Sequence, residues 1–353
     1  MISCLRQIRL VMMASLREYN ATKQRTWVLS CPVRLLMGII DRSLFRVAGV
    51  ILAWMLLNGP AWSDLRVVDD SGQVLTLQKP AQRIVSLAPH ITELLFAVGA
   101  GAAVVGTSEF SDYPDAARAI PRVGGGGGLD LEAILALQPD LVIAWESGNP
   151  AGQMRRLQQL GLPVFFSEPR HMEDIISSLE RFGQLTGRQE ESRAQSRAFA
   201  DRLELLRKRY SGQEAVTVYY QIWDHPLMTV NERHIVSDVI RLCGGRNVFA
   251  DLPVIAQQID SEAVLAANPD VIVVGDAAGE PAASLVAWER WPELKAVRQR
   301  HLYTIQRELL VRNTPRLLEG AKQLCQLLEG VREQRRQTGH QEWPRNPGKN
   351  TGK

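Results

Sequence analysis

The chain lacks the short motifs that mark the commonest α/β chemistries. No Gly-x-Gly-x-x-Gly follows the first strand-like run, where Ser86-Leu-Ala-Pro-His90 stands instead, and there is no P-loop lysine and no Gly-x-Ser-x-Gly elbow. Dinucleotide, nucleoside-triphosphate and serine-hydrolase chemistry thereby lose their usual anchors. No nucleophile–base arrangement takes their place, so no catalytic residues are expected and the chain reads as a non-enzyme. Histidine is sparse: His90, His171, His225 and His234 are scattered singly, not grouped with carboxylates as a zinc site needs, so no metal site and no cofactor are expected. Cysteine is scarcer still, with four in 353 residues.

Long apolar runs are missing too. Val47–Leu57 offers eleven apolar residues, against about 20 for a membrane-spanning helix. Its flanks are Arg42 and Arg46 before it, Asn58-Gly59-Pro60 after it, and then Ala61-Trp62-Ser63. This pattern predicts a secretory signal cleaved after Ser63; a buried helix of the folded domain is the competing reading. A signal past position 40 places the expected start at Met37, with the signal at 37–63 and residues 1–36 an over-extended N-terminus. The charge follows. The whole chain carries 41 Lys/Arg against 38 Asp/Glu, but residues 1–63 hold eight and two of these, leaving 33 against 36. The basic balance thus belongs to the presequence and is no argument for nucleic acid. Cys4 and Cys31 fall in that segment. Cys243 and Cys325 remain, and an even pair in an exported protein reads as a disulfide, with two unpaired buried thiols as the alternative.

Along the remainder, Leu65–Val68 and Val74–Leu77 around Asp70-Ser71-Gly72 predict an opening hairpin. Strand-like runs at 83–88, 103–107, 140–145 and 163–167 alternate with helical ones at 91–98, 131–138 and 153–160, which implies parallel βαβ units in a Rossmann-like lobe. Helical stretches at 173–185 and 189–210 follow, the second long, charged and free of Gly and Pro. It suits a rigid connector, or equally a solvated surface helix. Strand and helix patterns then resume, with strands at 216–222, 270–275 and 301–305 and helices at 235–242 and 315–328. Beyond residue 330 the chain turns basic and polar with no apolar periodicity, which predicts a disordered tail over 331–353.

The organising feature is internal. Residues 130–143, DLEAILALQPDLVI, and 260–273, DSEAVLAANPDVIV, agree at seven of fourteen positions without a gap, at an offset of 130. Each copy reads as an Asp-capped helix with Glu132 or Glu262 in its positive first turn, then a Pro-Asp turn and a buried strand. Two equivalent lobes facing one another make the cleft between them the expected ligand site.

These residues resemble the helical-backbone solute-binding proteins of iron-chelate and cobalamin importers, from about Gln82 to Gly330. The motifs are Arg83-Ile-Val-Ser-Leu-Ala-Pro-His-Ile-Thr-Glu-Leu94, Ser111-Asp-Tyr-Pro114, Leu131-Glu132 with Pro139-Asp-Leu-Val-Ile-Ala-Trp145, and Leu242-Cys-Gly-Gly-Arg-Asn-Val-Phe249. The last three groups point to the cobalamin-binding branch. The resemblance implies an α/β fold of two Rossmann-like lobes joined by one long rigid helix. Its expected segments are 64–187, a connecting helix at 188–210, and 211–330. A Cys243–Cys325 disulfide is also implied. Glu132 and Glu262 match positions that dock onto the membrane permease subunits of an ABC importer.

For a corrin ring the expected walls are aromatic and apolar. Phe110 and Trp145 match pocket positions of the family; Tyr113 is nearby; Tyr220 and Trp223 lie at the end of the first strand of lobe two, and Met228 stands where the family can carry a large aromatic. Plain core packing is the competing role for each. Gly124–Gly128 and Ala256 replace aromatic-bearing positions, so the wall there differs. The resulting expectation is a periplasmic, monomeric carrier of cobalamin or a related corrinoid. Haem or an iron–siderophore chelate is the alternative within the fold, and an exported enzyme or interaction module the alternative outside it.

Overall fold

A computed structural model describes residues 64–125, 127–276 and 283–341. The signal, start and cleavage expectations for 1–63 and the tail expectation for 342–353 lie outside the described residues. The chain opens with the expected hairpin: β1 (Leu65–Val68) and β2 (Val74–Leu77) pair antiparallel with Leu65 opposite Leu77. Gly72 closes the turn at φ +83°, and the Asp69 carboxylate accepts the Ser71 and Gln73 amides, an Asx-type arrangement that suits Asp at this place.

The first lobe then runs β3 (Ile84–Ser86), α1 (Pro89–Ala97), β4 (Val104–Thr107), the two-residue strands β5 (Gly124–Gly125) and β6 (Gly128–Leu129), α2 (Leu131–Ala136), β7 (Leu141–Trp145), α3 (Ala151–Gln159), β8 (Val164–Ser167) and α4 (Met172–Thr186). Its sheet, in order β4-β3-β7-β8, is wholly parallel. After α5 (Gln189–Tyr210) comes the second lobe. It comprises β9 (Val216–Gln221), the hairpin β10 (Trp223–Asp224) and β11 (Leu227–Val230), α6 (Ile235–Leu242), β12 (Gly245–Asn247), β13 (Ala256–Gln258), α7 (Ser261–Ala267), β14 (Val271–Asp276), α8 (Ala283–Trp288), α9 (Lys295–Arg298), β15 (Leu302–Gln306), α10 (Glu308–Val311) and α11 (Leu317–Gln341). Its main sheet, β12-β9-β14-β15, is also wholly parallel.

Both sheets therefore share one order: second strand, first, third, fourth. The sequence repeat is the helix-and-strand unit that delivers the third strand of each. Its chemistry repeats in detail. Asp130 and Asp260 cap α2 and α7, accepting the Ala133 and Ala263 amides at 2.9 and 2.8 Å. Gln138 and Asn268, 130 residues apart, both take positive φ where their helices stop. The Asp of each Pro-Asp pair then ties the third strand to the entry of the first. Asp140 accepts the Gln82 and Arg83 amides, each at 2.9 Å, and Asp270 accepts the Thr217 amide at 2.8 Å. A residue read from sequence as turn chemistry thus also sets strand register.

Of the central strands, β7 is buried until Trp145 and β9 is buried apart from Thr217. One apolar core runs from α1 and α4 through α5 into β9, α6 and α11, and Phe199, Leu203 and Tyr210 carry α5 into it. The connecting helix is packed along one face, not solvated all round. The tail expectation needs correction. α11 continues to Gln341, and Val331 and Arg332 are buried. The Arg332 guanidinium donates to the carbonyls of Glu214 and Cys243, each at 2.7 Å, so tertiary partners order a segment whose composition reads as disordered. Cys243 and Cys325 are disulfide-bonded and join α6 to α11.

Candidate functional site

In sheets of this order the first strand has neighbours whose connections leave in opposite directions, and ligands bind in the crevice outside the C-terminal strand ends at that switch point. In the first lobe the switch lies at the ends of β3 and β7. Asn149 clamps it: its carbonyl oxygen accepts the Trp145 amide at 2.7 Å, and its side-chain amide donates to the Leu87 carbonyl at 3.1 Å. Trp145 is thereby held at the strand terminus, 39% exposed. Gly148 must lack a side chain, because a Cβ there would fall 1.9 Å from the indole.

Beneath the indole lies His90, its ring edge-on to Trp145 at 5.6 Å between centroids. Burial, reinforced by the nearby Arg312 charge and opposed by Asp70, pushes the His90 imidazole down to about 4, so it is neutral at physiological pH. Its Nε2 has no hydrogen-bond partner among the described residues. Behind it runs a buried hydroxyl chain, with Ser86 to Thr92 at 2.8 Å, Thr92 to Ser111 at 3.1 Å and Ser111 to Ser108 at 3.1 Å. This chain fixes the start of the loop after β4, which presents Phe110 (76% exposed) and Tyr113.

In the second lobe Trp223 and Met228 face each other across the β10–β11 pair. Trp223 is exposed, its indole nitrogen donating to the His225 carbonyl at 3.0 Å and its ring lying under the Arg307 guanidinium at 5.4 Å. Tyr220 is different. Expected at the cleft, it is 1% exposed and packs in the apolar core, its hydroxyl against Gly275. β9 is a central strand covered on both faces at this point, with Tyr219 and Gln221 buried as well, so the Tyr220 ring packs as core.

The segment after β15 links the two walls. Arg307 covers Trp223, while Arg312 donates to the Phe110 carbonyl at 3.1 Å and Arg316 lies 3.8 Å over the Tyr113 ring. Sequence reasoning missed Arg312, Arg316, Glu93 and Asn149. The two arginines at positions i and i+4 after a strand were a visible signal; Glu93 and Asn149 gave none. Glu132 and Glu262 both stand exposed in the first turns of α2 and α7. Gly124 and Gly125 lie in a tight hairpin whose inner side is filled, since a Cβ on Gly125 would fall 2.4 Å from the Glu109 carboxylate. No three His, Cys, Asp or Glu side chains gather as a metal-ligand set among the described residues, and no described helix is long and apolar enough to cross a membrane.

Residues 84–309 match the family described as Periplasmic binding protein. A vitamin B12-binding protein of Vibrio parahaemolyticus is 35% identical over 257 residues, covering 73% of this chain and 93% of the relative. One from Yersinia pestis is 34% identical over 259 residues, covering 73% and 90%. The crystal structure of the periplasmic vitamin B12 binding protein BtuF of Vibrio cholerae superposes with a TM-score of 0.67 at 35% identity, over 72% of this chain and 98% of that one. The heme-binding protein RhuT from Roseiflexus, at 24% identity and a TM-score of 0.64, shares the fold. With its two parallel lobes, its switch-point crevices and these matches, the chain belongs to the periplasmic binding protein family.

Proposed function

We propose that this protein captures cobalamin, or a related corrinoid, in the periplasm and delivers it as a monomer to the permease subunits of an ABC importer. The observation that carries the reading is a set of large rings kept exposed at the strand ends of both lobes. Phe110, Tyr113 and Trp145 stand on one side and Trp223 on the other, with Met228 beside it. A soluble core would bury such rings; a site for a broad, rigid, largely apolar ring system needs them exposed. The names of the relatives, matched over nine-tenths of their length, support the same ligand. Capture is reversible and non-covalent. Glu132 and Glu262 act as paired docking anchors, one on each lobe, which suits two equivalent lobes meeting a two-fold partner.

The test is a calorimetric titration with cyanocobalamin, with haem and a ferric siderophore as parallel titrants. The expected result is one-to-one cobalamin binding near nanomolar, about −12 kcal/mol, weakened roughly 10- to 100-fold by Trp145→Ala, a loss of about 1.4–2.8 kcal/mol. Saturable haem or siderophore binding without cobalamin binding would overturn the ligand assignment. Glu132→Ala with Glu262→Ala should abolish uptake while leaving affinity unchanged.

A further inference from the structure

The two lobes meet at a charge cluster centred on a carboxylate that no ligand role explains. Glu93 lies on α1 of the first lobe with its side chain 3% exposed. Its Oε1 receives Arg312 at 2.8 Å and Arg316 at 3.4 Å, both from the second lobe and more than 200 residues distant in sequence. Arg312 also reaches Asp112 at 3.0 Å and donates to the Phe110 carbonyl at 3.1 Å. Two guanidiniums thus meet two carboxylates, so the cluster is balanced in charge. The Arg312 side chain is 11% exposed. Burial opposes its charge, but the hydrogen bonds and charges of Glu93 and Asp112 outweigh that and hold its pKa above the ordinary arginine value.

The first-lobe partners, apart from Glu93, all belong to the loop that carries the aromatic wall. Phe110 is held at φ +61°, a left-handed conformation that costs a non-glycine residue energy and persists only where surroundings impose it. Arg312 grips the carbonyl of that residue, and Arg316 stacks on Tyr113 three positions on. The cluster therefore does two things with the same atoms: it bridges the lobes and it sets the loop.

We propose that Glu93 is a positioning residue. By holding Arg312 and Arg316 it ties the lobes together and fixes the Phe110–Tyr113 loop in its ligand-receiving arrangement. Separating the lobes then releases the loop, and ordering the loop favours the joined lobes. The ligand side of this inference rests on the proposed function; the tether itself does not.

Hydrogen exchange on the ligand-free protein separates the two. In Glu93→Gln, which keeps the shape and removes the charge, amides of residues 108–114 and 307–316 should exchange at least 10-fold faster. Those of β3, β7, β9 and β14 should be unchanged, a pattern that general destabilisation would not produce. Cobalamin affinity in the same variant should fall about 10-fold. Arg316→Met, which keeps an apolar chain over Tyr113 without the charge, provides a second route if Glu93→Gln does not fold, and should loosen the same two segments. Unchanged exchange in both segments, or a uniform rise across all strands, overturns the tether. Loosened segments with no cobalamin binding by the wild type would support the tether and refute the ligand assignment instead.

Discussion

Acidification should destabilise this protein well above the pH at which carboxylates titrate, and His90 is the main reason. Its imidazole falls from an ordinary value of 6.5 to about 4 because burial beneath Trp145 disfavours the charged form and Arg312 adds repulsion. Between those two values the unfolded chain holds a proton that the folded chain does not, so stability rises with pH through the window and is lost as pH falls from 6.5 towards 4. The interval corresponds to about 3 kcal/mol, a sizeable share of the roughly 5–15 kcal/mol typical of a domain. His234 adds in the same direction. It too is pushed down to about 4 by burial, and its Nδ1 accepts the Val236 amide, which protonation would end. Because its ring is only partly buried, its contribution should be the smaller of the two. Asp238, raised chiefly by burial, works the other way near the bottom of the window. Urea unfolding at half-unit pH steps from 7 to 4, for the wild type and His90→Asn, measures the slope. Histidine ring NMR locates the titration directly. A His90 resonance titrating near 6.5, or parallel stability curves for the two proteins, would refute the argument.

Three further outcomes follow from the packing. Replacing both Cys243 and Cys325 by Ala should lower stability by about 4.5 kcal/mol in the chain-entropy picture, since the bond spans 82 residues; urea midpoints measure this, and a change below about 1 kcal/mol would contradict it. Asp140→Ala should cost about 0.5–1.5 kcal/mol, the net range for an ordinary hydrogen bond, because the Gln82 and Arg83 amides that bond to that carboxylate are exposed and water can take its place. Asp270→Ala should cost more than Asp140→Ala, because Asp270 is buried and also takes the Thr217 hydroxyl and the Arg335 guanidinium; thermal unfolding of the two variants checks the order. Tyr220→Phe should change stability by less than about 1 kcal/mol, since its buried hydroxyl has no hydrogen-bond partner among the described residues. It should leave cobalamin affinity unaltered; a tenfold loss in titration would return Tyr220 to the binding wall.

Much of the architecture was legible in one dimension because it rests on local chemistry. The helix at 189–210 has its two ends where the sequence pattern places them, since charge periodicity and the Gly187 stop at φ +71° are local features. The repeat announced two alike lobes because capping and turn residues act within a few positions of themselves. The exposed aromatics were half legible. Phe110, Tyr113, Trp145 and Trp223 stand open to solvent, but Tyr220 packs as core, and a strand end does not advertise whether both its faces are covered.

Amino-acid order by itself determined the βαβ alternation, the twofold repeat, the Asp caps and the availability of one cysteine pair, all of which depend on neighbours along the chain. Tertiary structure alone decided what depends on distant neighbours. It set the second duty of Asp140 and Asp270 at the first strands, and the ordering of Arg332 by Glu214 and Cys243. It also gathered Glu93, Asp112, Arg312 and Arg316 across more than 200 residues. Burying a charge demands a partner, and which partner arrives is settled only when the lobes meet.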